Sequence, residues 1–323
     1  MSRENCRRTT VQLQRDHAPA TFSPSARACE RSNTSALPLQ SPIIRHVPAT
    51  ITALVQRLQV LLSEFGFQPG RFVNAIRAIP RYVSDMRAFR SQYGGPFLIR
   101  PCLHDRGEDA GESRSEYFWQ DLLVARWIHD SKPQKHVDVG SRLDGFVAHV
   151  ASFRELEVLD IRPLPQPIPG VHFRRIDLMS GHDMALLADE GARDGGYCDS
   201  LSCLHVLEHF GLGRYGDRID PEGWRFGLTN LAALLRPSGK LYLATPVGRE
   251  RVEFNAHRVF SPARILDVAT ANGLKLDRLT TFTFDAGVVE TATRDMATAL
   301  DRLSREPYSL AIMRFEKRDT RPL

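Results

Sequence analysis

A chain of 323 residues, 42% hydrophobic and 25% charged, has the composition of a globular protein with room for one large α/β domain and a smaller attachment. No apolar run approaches the roughly 20 residues of a membrane span. Five scattered cysteines (Cys6, Cys29, Cys102, Cys198 and Cys203) with no C-x-x-C pair exclude a disulfide framework and point to a reducing, cytoplasmic setting. The net charge of +5 comes from basic residues spread along the whole chain, so no nucleic-acid partner is expected.

Residues 1–47 are polar, rich in arginine and serine and without periodicity, which predicts a disordered tail. Residues 48–114 read as a helical extension. Ile51, Leu54, Val55, Leu58, Leu61, Leu62 and Phe65 recur at helical spacing, and Gly66 lies near the helix end. Phe72, Val73, Ile76 and Ile79 mark a second helix. Pro80 opens a third, with Tyr82, Val83, Met86 and Phe89 on one face. Asp105–Ser115 is loop-like, and an aromatic helix spans Tyr117–Ile128.

From 115 to 323 strands and helices alternate, which predicts a Rossmann-like α/β fold: a seven-stranded, mostly parallel sheet with helices on both faces. The strands are expected at 136–139, 156–159, 171–174, 198–202, 240–244, 279–284 and 309–315. Helices are expected near 145–152, 182–188, 204–210, 223–235, 262–272 and 291–304. The last strand follows a long helix and Pro307, as an antiparallel strand inserted near the sheet edge would.

The first strand carries the strongest signal. His136-Val137-Asp138-Val139-Gly140-Ser141-Arg142 runs from a strand into a glycine turn, and Asp160 ends the next strand about twenty residues on. This is the nucleoside-binding half of a doubly wound fold. Arg142 stands where a dinucleotide site has its second glycine, and Asp138 would repel a pyrophosphate. A ligand with a ribose and a positive charge, such as S-adenosylmethionine, suits the turn better than NAD.

These pieces resemble class I S-adenosylmethionine-dependent methyltransferases. The runs His136–Phe153, Cys198–Gly223 and Glu253–Phe260 are similar, more closely, to an uncharacterised methyltransferase-like family, domain of unknown function 268. The resemblance implies S-adenosylmethionine as cofactor, held by Asp138, Gly140, Ser141, Arg142, Asp160, Ile161, Asp177, Leu178 and Cys203. Asp160 would accept the ribose hydroxyls, and Arg142 would pair with the cofactor carboxylate. The expected activity is O-methylation of a small or carbohydrate-type acceptor. The alternative is a binding protein for a nucleotide sugar or other nucleoside on the same fold, since fold does not settle function.

Acceptor chemistry is expected at the carboxyl ends of the fourth and fifth strands. His257, in the run Arg249–Arg258, is the first expectation for a base, with His205 and Glu208 as pocket neighbours. His205-Val206-Leu207-Glu208-His209 also spells H-x-x-E-H, the zinc-protease pattern in reverse, but no third ligand accompanies it and no metal is expected. Gly211-Leu212-Gly213-Arg214-Tyr215-Gly216 matches G-x-G-x-x-G without the strand-to-helix context a dinucleotide needs, and reads as a loop over the site.

Overall fold

The computed structural model describes residues 58, 61–104, 106, 113 and 115–319. The expected tail at 1–47, most of the first expected helix and most of the Asp105–Ser115 loop lie outside the described residues. The chain divides into two units, Met1–Asp105 and Arg106–Leu323.

In the first unit, helical residues 61–64 stop at Gly66, whose φ of 77° and N–H bond to the Ser63 carbonyl close the helix end. Helix α1, Pro69–Arg90, is continuous. The sequence places a break at Pro80; instead the proline sits inside the helix. The apolar spacing of Phe72, Ile76, Ile79, Val83 and Met86 carries one face through the position where a backbone N–H is missing.

The second unit is built on an eight-stranded sheet in the order β3-β2-β1-β4-β5-β10-β8-β9. β1 (His136–Val139), β2 (Leu156–Asp160), β3 (Val171–Arg175), β4 (Cys198–Leu204) and β5 (Leu235–Val247) are parallel. β10 (Ser309–Lys317) inserts antiparallel between β5 and β8 (Leu274–Thr283). All seven expected strands are present. The eighth, β9 (Gly287–Thr291), hairpins back on β8 and ends on Thr291, the residue expected to begin the last helix. A separate ribbon pairs β6 (Arg251–Glu253) with β7 (His257–Val259).

Side chains alternate across the pleat, so each strand feeds two cores. Val137, Val139, Leu241, Leu243, Ala311 and Met313 enter one core. There they meet helices α4 (Gly181–Gly191), α5 (Gly223–Leu234), α6 (Pro262–Ala271) and α7 (Met296–Leu303). Leu156, Val158, Tyr242, Ala244, Leu310 and Ile312 enter the other. That core is covered by Val124, Ala125 and Ile128 of α2 (Glu116–Ser131), by the π-helical turn Leu143–Val147 and by α3 (Ala148–Ala151). Complete burial of a side chain such as Phe146 or Leu228 contributes about 1.5–3 kcal/mol.

β1 and β4 are neighbours in the middle of the sheet, while the chain turns from β1 toward β2 on one side and from β4 toward β5 on the other. Crevices at the carboxyl ends of parallel strands open at such a switch point. The expected helix at 204–210 is absent. β4 runs to Leu204, His205 turns left-handed at φ 54°, and only a 3-10 turn, Leu207–His209, follows.

Candidate active site

At the end of β1 the chain reverses at Gly140, whose φ of 68° suits glycine; a Cβ there would meet Val206 Cγ1 at 2.8 Å. Asp138 is wholly buried beneath this turn. Its carboxylate accepts from the Ser141 N–H (3.0 Å), Ser141 Oγ (2.7 Å) and Ser202 Oγ (2.5 Å). Burial pushes the Asp138 carboxyl up to about 6, against the pull of those hydrogen bonds. Asp138 and Ser141 therefore shape the turn from behind. Cys203, in β4, is fully buried in the core.

Above the strand ends lies a cavity of about 270 Å³. One wall comes from the ends of β1 to β3: Gly140, Leu159, Asp160, Ile161, Arg162, Ile176, Asp177 and Leu178. The other comes from residues 204–217, with Tyr117 and Arg142 also in the lining. Of the expected cofactor residues, Gly140, Arg142, Asp160, Ile161, Asp177 and Leu178 meet here; Asp138, Ser141 and Cys203 do not line it.

Asp160 is already engaged. Arg162, two residues on, donates from its backbone N–H (2.8 Å) and from both Nε and Nη2, and Nη2 also reaches the Gly140 carbonyl at 3.2 Å. The Arg162 guanidinium lies 4.8 Å from the Tyr215 ring centroid. Arg142 pairs in fork fashion with Asp144 (2.8 and 3.0 Å) and lies 5.4 Å from the Tyr117 ring centroid. Arg142, Asp160 and Arg162 also line a second groove of about 330 Å³. Asp177 Oδ1 accepts from the Met179 N–H at 2.8 Å.

The opposite wall holds a buried histidine between carboxylates. His205, whose side chain is 4% exposed, places Nδ1 2.9 Å from Glu208 Oε1. Nε2 lies 3.5 Å from Glu116 Oε1 and has no hydrogen-bond partner among the described residues. Glu116 in turn accepts from the Tyr308 hydroxyl at 2.8 and 2.9 Å, and Thr245 Oγ1 reaches Glu208 Oε2 at 3.3 Å. The Tyr117 ring packs 4.5 Å from the imidazole. Burial alone would lower the His205 pKa, but Glu208, Glu116 and Asp121 outweigh it and raise it above the ordinary value. Burial likewise pushes Glu208 upward, and the bond to His205 reverses this and holds it below the usual carboxylate range. The Tyr117 hydroxyl is pushed up to about 12, by burial first and then by Glu208 and Glu116.

His257, expected as the base, does not line the cavity; it sits on β7, 3.7 Å from Glu253 Oε2 and 6.2 Å between ring centroids from Tyr308. His205 does line it, and Glu208 supports His205 from behind. With His205 on a left-handed turn and His209 in a 3-10 turn, the H-x-x-E-H letters do not share a helix face. Among the described residues no cluster of His, Cys, Asp and Glu could hold a metal ion. Sequence reasoning missed Glu116, Tyr308 and Arg162. An arginine two residues after a strand-tip acid is a local signal; Glu116 and Tyr308 come together only through the fold.

Residues 173–295 match a family described as "Caenorhabditis protein of unknown function, DUF268", so the family resemblance read from the sequence holds over this segment. It takes in the runs at 198–223 and 253–260, though not 136–153. No curated protein matches the chain. Among solved structures, the chain is similar to Burkholderia thailandensis 1,6-didemethyltoxoflavin-N1-methyltransferase with bound S-adenosylhomocysteine. Identity there is 14%, covering 78% of this chain and 92% of that one, with a TM-score of 0.44. It is similar to Synechocystis magnesium protoporphyrin IX methyltransferase at 14% identity, 65% and 86% coverage and a TM-score of 0.40. The N-methyltransferase NodS of Bradyrhizobium japonicum gives 12%, 62% and 86%, and 0.38. Among the described residues no helix is long and apolar enough to cross a membrane.

Proposed function

We propose that this protein is an S-adenosylmethionine-dependent methyltransferase that methylates a hydroxyl of a small or carbohydrate-type acceptor. The observation that carries the reading is His205: a histidine in the cavity wall with Nδ1 fixed by Glu208 and with Nε2, 3.5 Å from Glu116 Oε1, making no hydrogen bond among the described residues. The cavity lies at the switch point where an open α/β sheet takes a nucleoside.

The lining fits such a cofactor. Gly140 brings its backbone to the lining in a left-handed turn packed against Val206. Asp160 provides a carboxylate for ribose hydroxyls, and Ile161, Ile176 and Leu178 provide an apolar surround for the base. The cavity is slightly smaller than the roughly 300–1,000 Å³ of most ligand sites. Arg162 stands between it and the adjoining groove, and movement of that side chain would join the two.

Bound S-adenosylmethionine supplies an electrophilic methyl group on a sulfonium. Glu208, holding Nδ1, fixes the His205 tautomer so that Nε2 is the basic nitrogen. Nε2 takes the acceptor's hydroxyl proton, and Glu116 and Glu208 stabilise the resulting imidazolium. Tyr308 holds Glu116 in place, and Tyr117 covers the imidazole face against water.

Incubation with methyl-labelled S-adenosylmethionine and a panel of polyols, sugars and small hydroxy acids tests the reading. Labelled product is expected from wild type, with turnover reduced by about 10²–10⁴ in His205→Ala at unchanged S-adenosylhomocysteine affinity. Full turnover in His205→Ala would remove His205 from the role.

A second reading draws on Arg142, Arg162 and Arg214, which bring three guanidinium groups to the lining and suit an anionic nucleotide sugar. Competition between UDP-glucose and S-adenosylhomocysteine separates the two. Binding of the nucleotide sugar with no binding of S-adenosylhomocysteine would favour the second.

A further inference from the structure

We propose that the acceptor carries an anionic group, a carboxylate or a phosphate, and that Arg214 binds it; this rests on the methyl-transfer reading. Most of the charged groups that line the cavity are already engaged within the chain. Arg142 is paired with Asp144, and Arg162 with Asp160. Asp217 is used by its own loop, accepting from the N–H groups of Gly211 (2.8 Å), Gly213 (3.2 Å) and Tyr215 (3.2 Å).

Arg214 is different. Among the described residues it has no carboxylate partner, and its one hydrogen bond goes to the Ala256 carbonyl at 2.7 Å. A guanidinium offers five N–H donors in a planar fork that matches a carboxylate or phosphate. One neutral acceptor leaves most of that fork open.

The surroundings keep the cation at the cavity. Its guanidinium lies 5.3 Å from the Tyr215 ring centroid, and that same ring receives Arg162 at 4.8 Å. The loop beneath is a built turn. Gly211 has a φ of 77°, and a Cβ there would meet the Asp220 carbonyl oxygen at 1.9 Å. Arg258, buried under the loop, ties it through the carbonyls of Glu208, Phe210 and Pro221. His209, in the same wall, has an Nδ1 with no hydrogen-bond partner among the described residues. Burial holds its pKa below the ordinary value, with the Arg214 charge adding to this and Glu208 and the Ala256 backbone opposing it.

Arg214 belongs to the wall that carries His205, opposite the wall of Gly140, Asp160 and Asp177. The anionic group held there is assigned to the acceptor, anchored while a hydroxyl of the same molecule faces His205; because Arg214 shares the Tyr215 ring with Arg162, the cofactor's carboxylate is the competing occupant. Arg214 is thus a specificity-determining residue, selecting charged acceptors over neutral polyols.

The test uses inorganic phosphate as the probe. The full chain, saturated with S-adenosylhomocysteine, is titrated calorimetrically with phosphate against chloride at constant ionic strength, as wild type, Arg214→Gln, Arg214→Lys and Arg162→Gln. Millimolar phosphate binding is expected in wild type. It should weaken at least tenfold in Arg214→Gln, recover in part in Arg214→Lys and persist in Arg162→Gln, with S-adenosylhomocysteine affinity within twofold of wild type in the two Arg214 variants. Phosphate binding that is absent from wild type, unchanged in Arg214→Gln, or lost only in Arg162→Gln would overturn the proposal. Binding abolished by saturating S-adenosylhomocysteine would overturn it too, because the anion would then be the cofactor's carboxylate. Failure of S-adenosylhomocysteine itself to bind, with Arg214-dependent phosphate binding retained, would sink the methyl-transfer reading and leave an anion site.

Discussion

The two walls of the cavity differ in how far the chain has satisfied its own polar groups. On the β1–β3 side every acid has an internal donor: Asp138 has Ser141 and Ser202, Asp160 has Arg162, and Asp177 has the Met179 N–H. On the 204–217 side the buried His205 Nε2 and His209 Nδ1 have no hydrogen-bond partner among the described residues, while the exposed Arg214 bonds a single carbonyl. A buried polar group left unpaired costs about 1–3 kcal/mol. The first wall is therefore a structural element that a ligand enters by exchanging bonds. The second keeps its bonding capacity for a ligand to fill.

Substitutions should separate the walls by their cost to folding. Asp138→Ala strands three buried donors, and urea denaturation should show a loss of about 3 kcal/mol. Gly140→Ala forces a left-handed φ on alanine and drives its Cβ against Val206, costing about 2 kcal/mol by the same measurement. His209→Gln and Arg214→Gln, on the other wall, should stay within about 0.5 kcal/mol of wild type. Equal losses on both sides would break the comparison.

A pH series sharpens it. His136, the buried first residue of β1 with Nδ1 2.8 Å from Ser200 Oγ, is lowered to about 3 by burial and, secondarily, by the Arg154 charge. The unfolded chain takes that proton near pH 6.5 and the folded chain does not, so stability is present above 6.5 and lost as pH falls toward 3. The loss is about 1.4 kcal/mol per pH unit. The stability gap between wild type and His136→Asn should shrink at that rate between pH 6.5 and 4.5. A gap independent of pH would place the histidine in contact with solvent. The smallest effect concerns Arg162→Ala: freeing Asp160 from an exposed arginine should tighten S-adenosylhomocysteine binding about twofold to fivefold, the scale of a surface ion pair. Weaker binding would make Arg162 part of the ligand contact.

The same division describes what was legible in the sequence. The β1 turn, Asp160 and Asp177 lie within forty residues at spacings that the strand–turn–helix unit dictates, so local pattern finds them. The parallel strands were legible because short stretches carrying Val, Leu, Phe or Cys alternate with turn and helical stretches along the chain. β9 was not: Gly287–Thr291 is five residues long, half exposed, and pairs only with β8, so its pattern merges with the helix after it. The His205 cluster was hidden for another reason. Glu116, His205 and Tyr308 are separated by about ninety and one hundred residues, and only the adjacency of β4, β5 and β10 with the start of α2 joins them. His257 was favoured because it follows β5 in a charged run, but the β6–β7 ribbon carries it away from the cavity lining.

The most direct test of the central claim is calorimetric titration of S-adenosylhomocysteine into the purified protein, with Asp160→Ala alongside. The account predicts micromolar binding to wild type and its loss in the variant. Absence of binding to folded wild type would contradict the assignment of this cavity as a methyl-donor site.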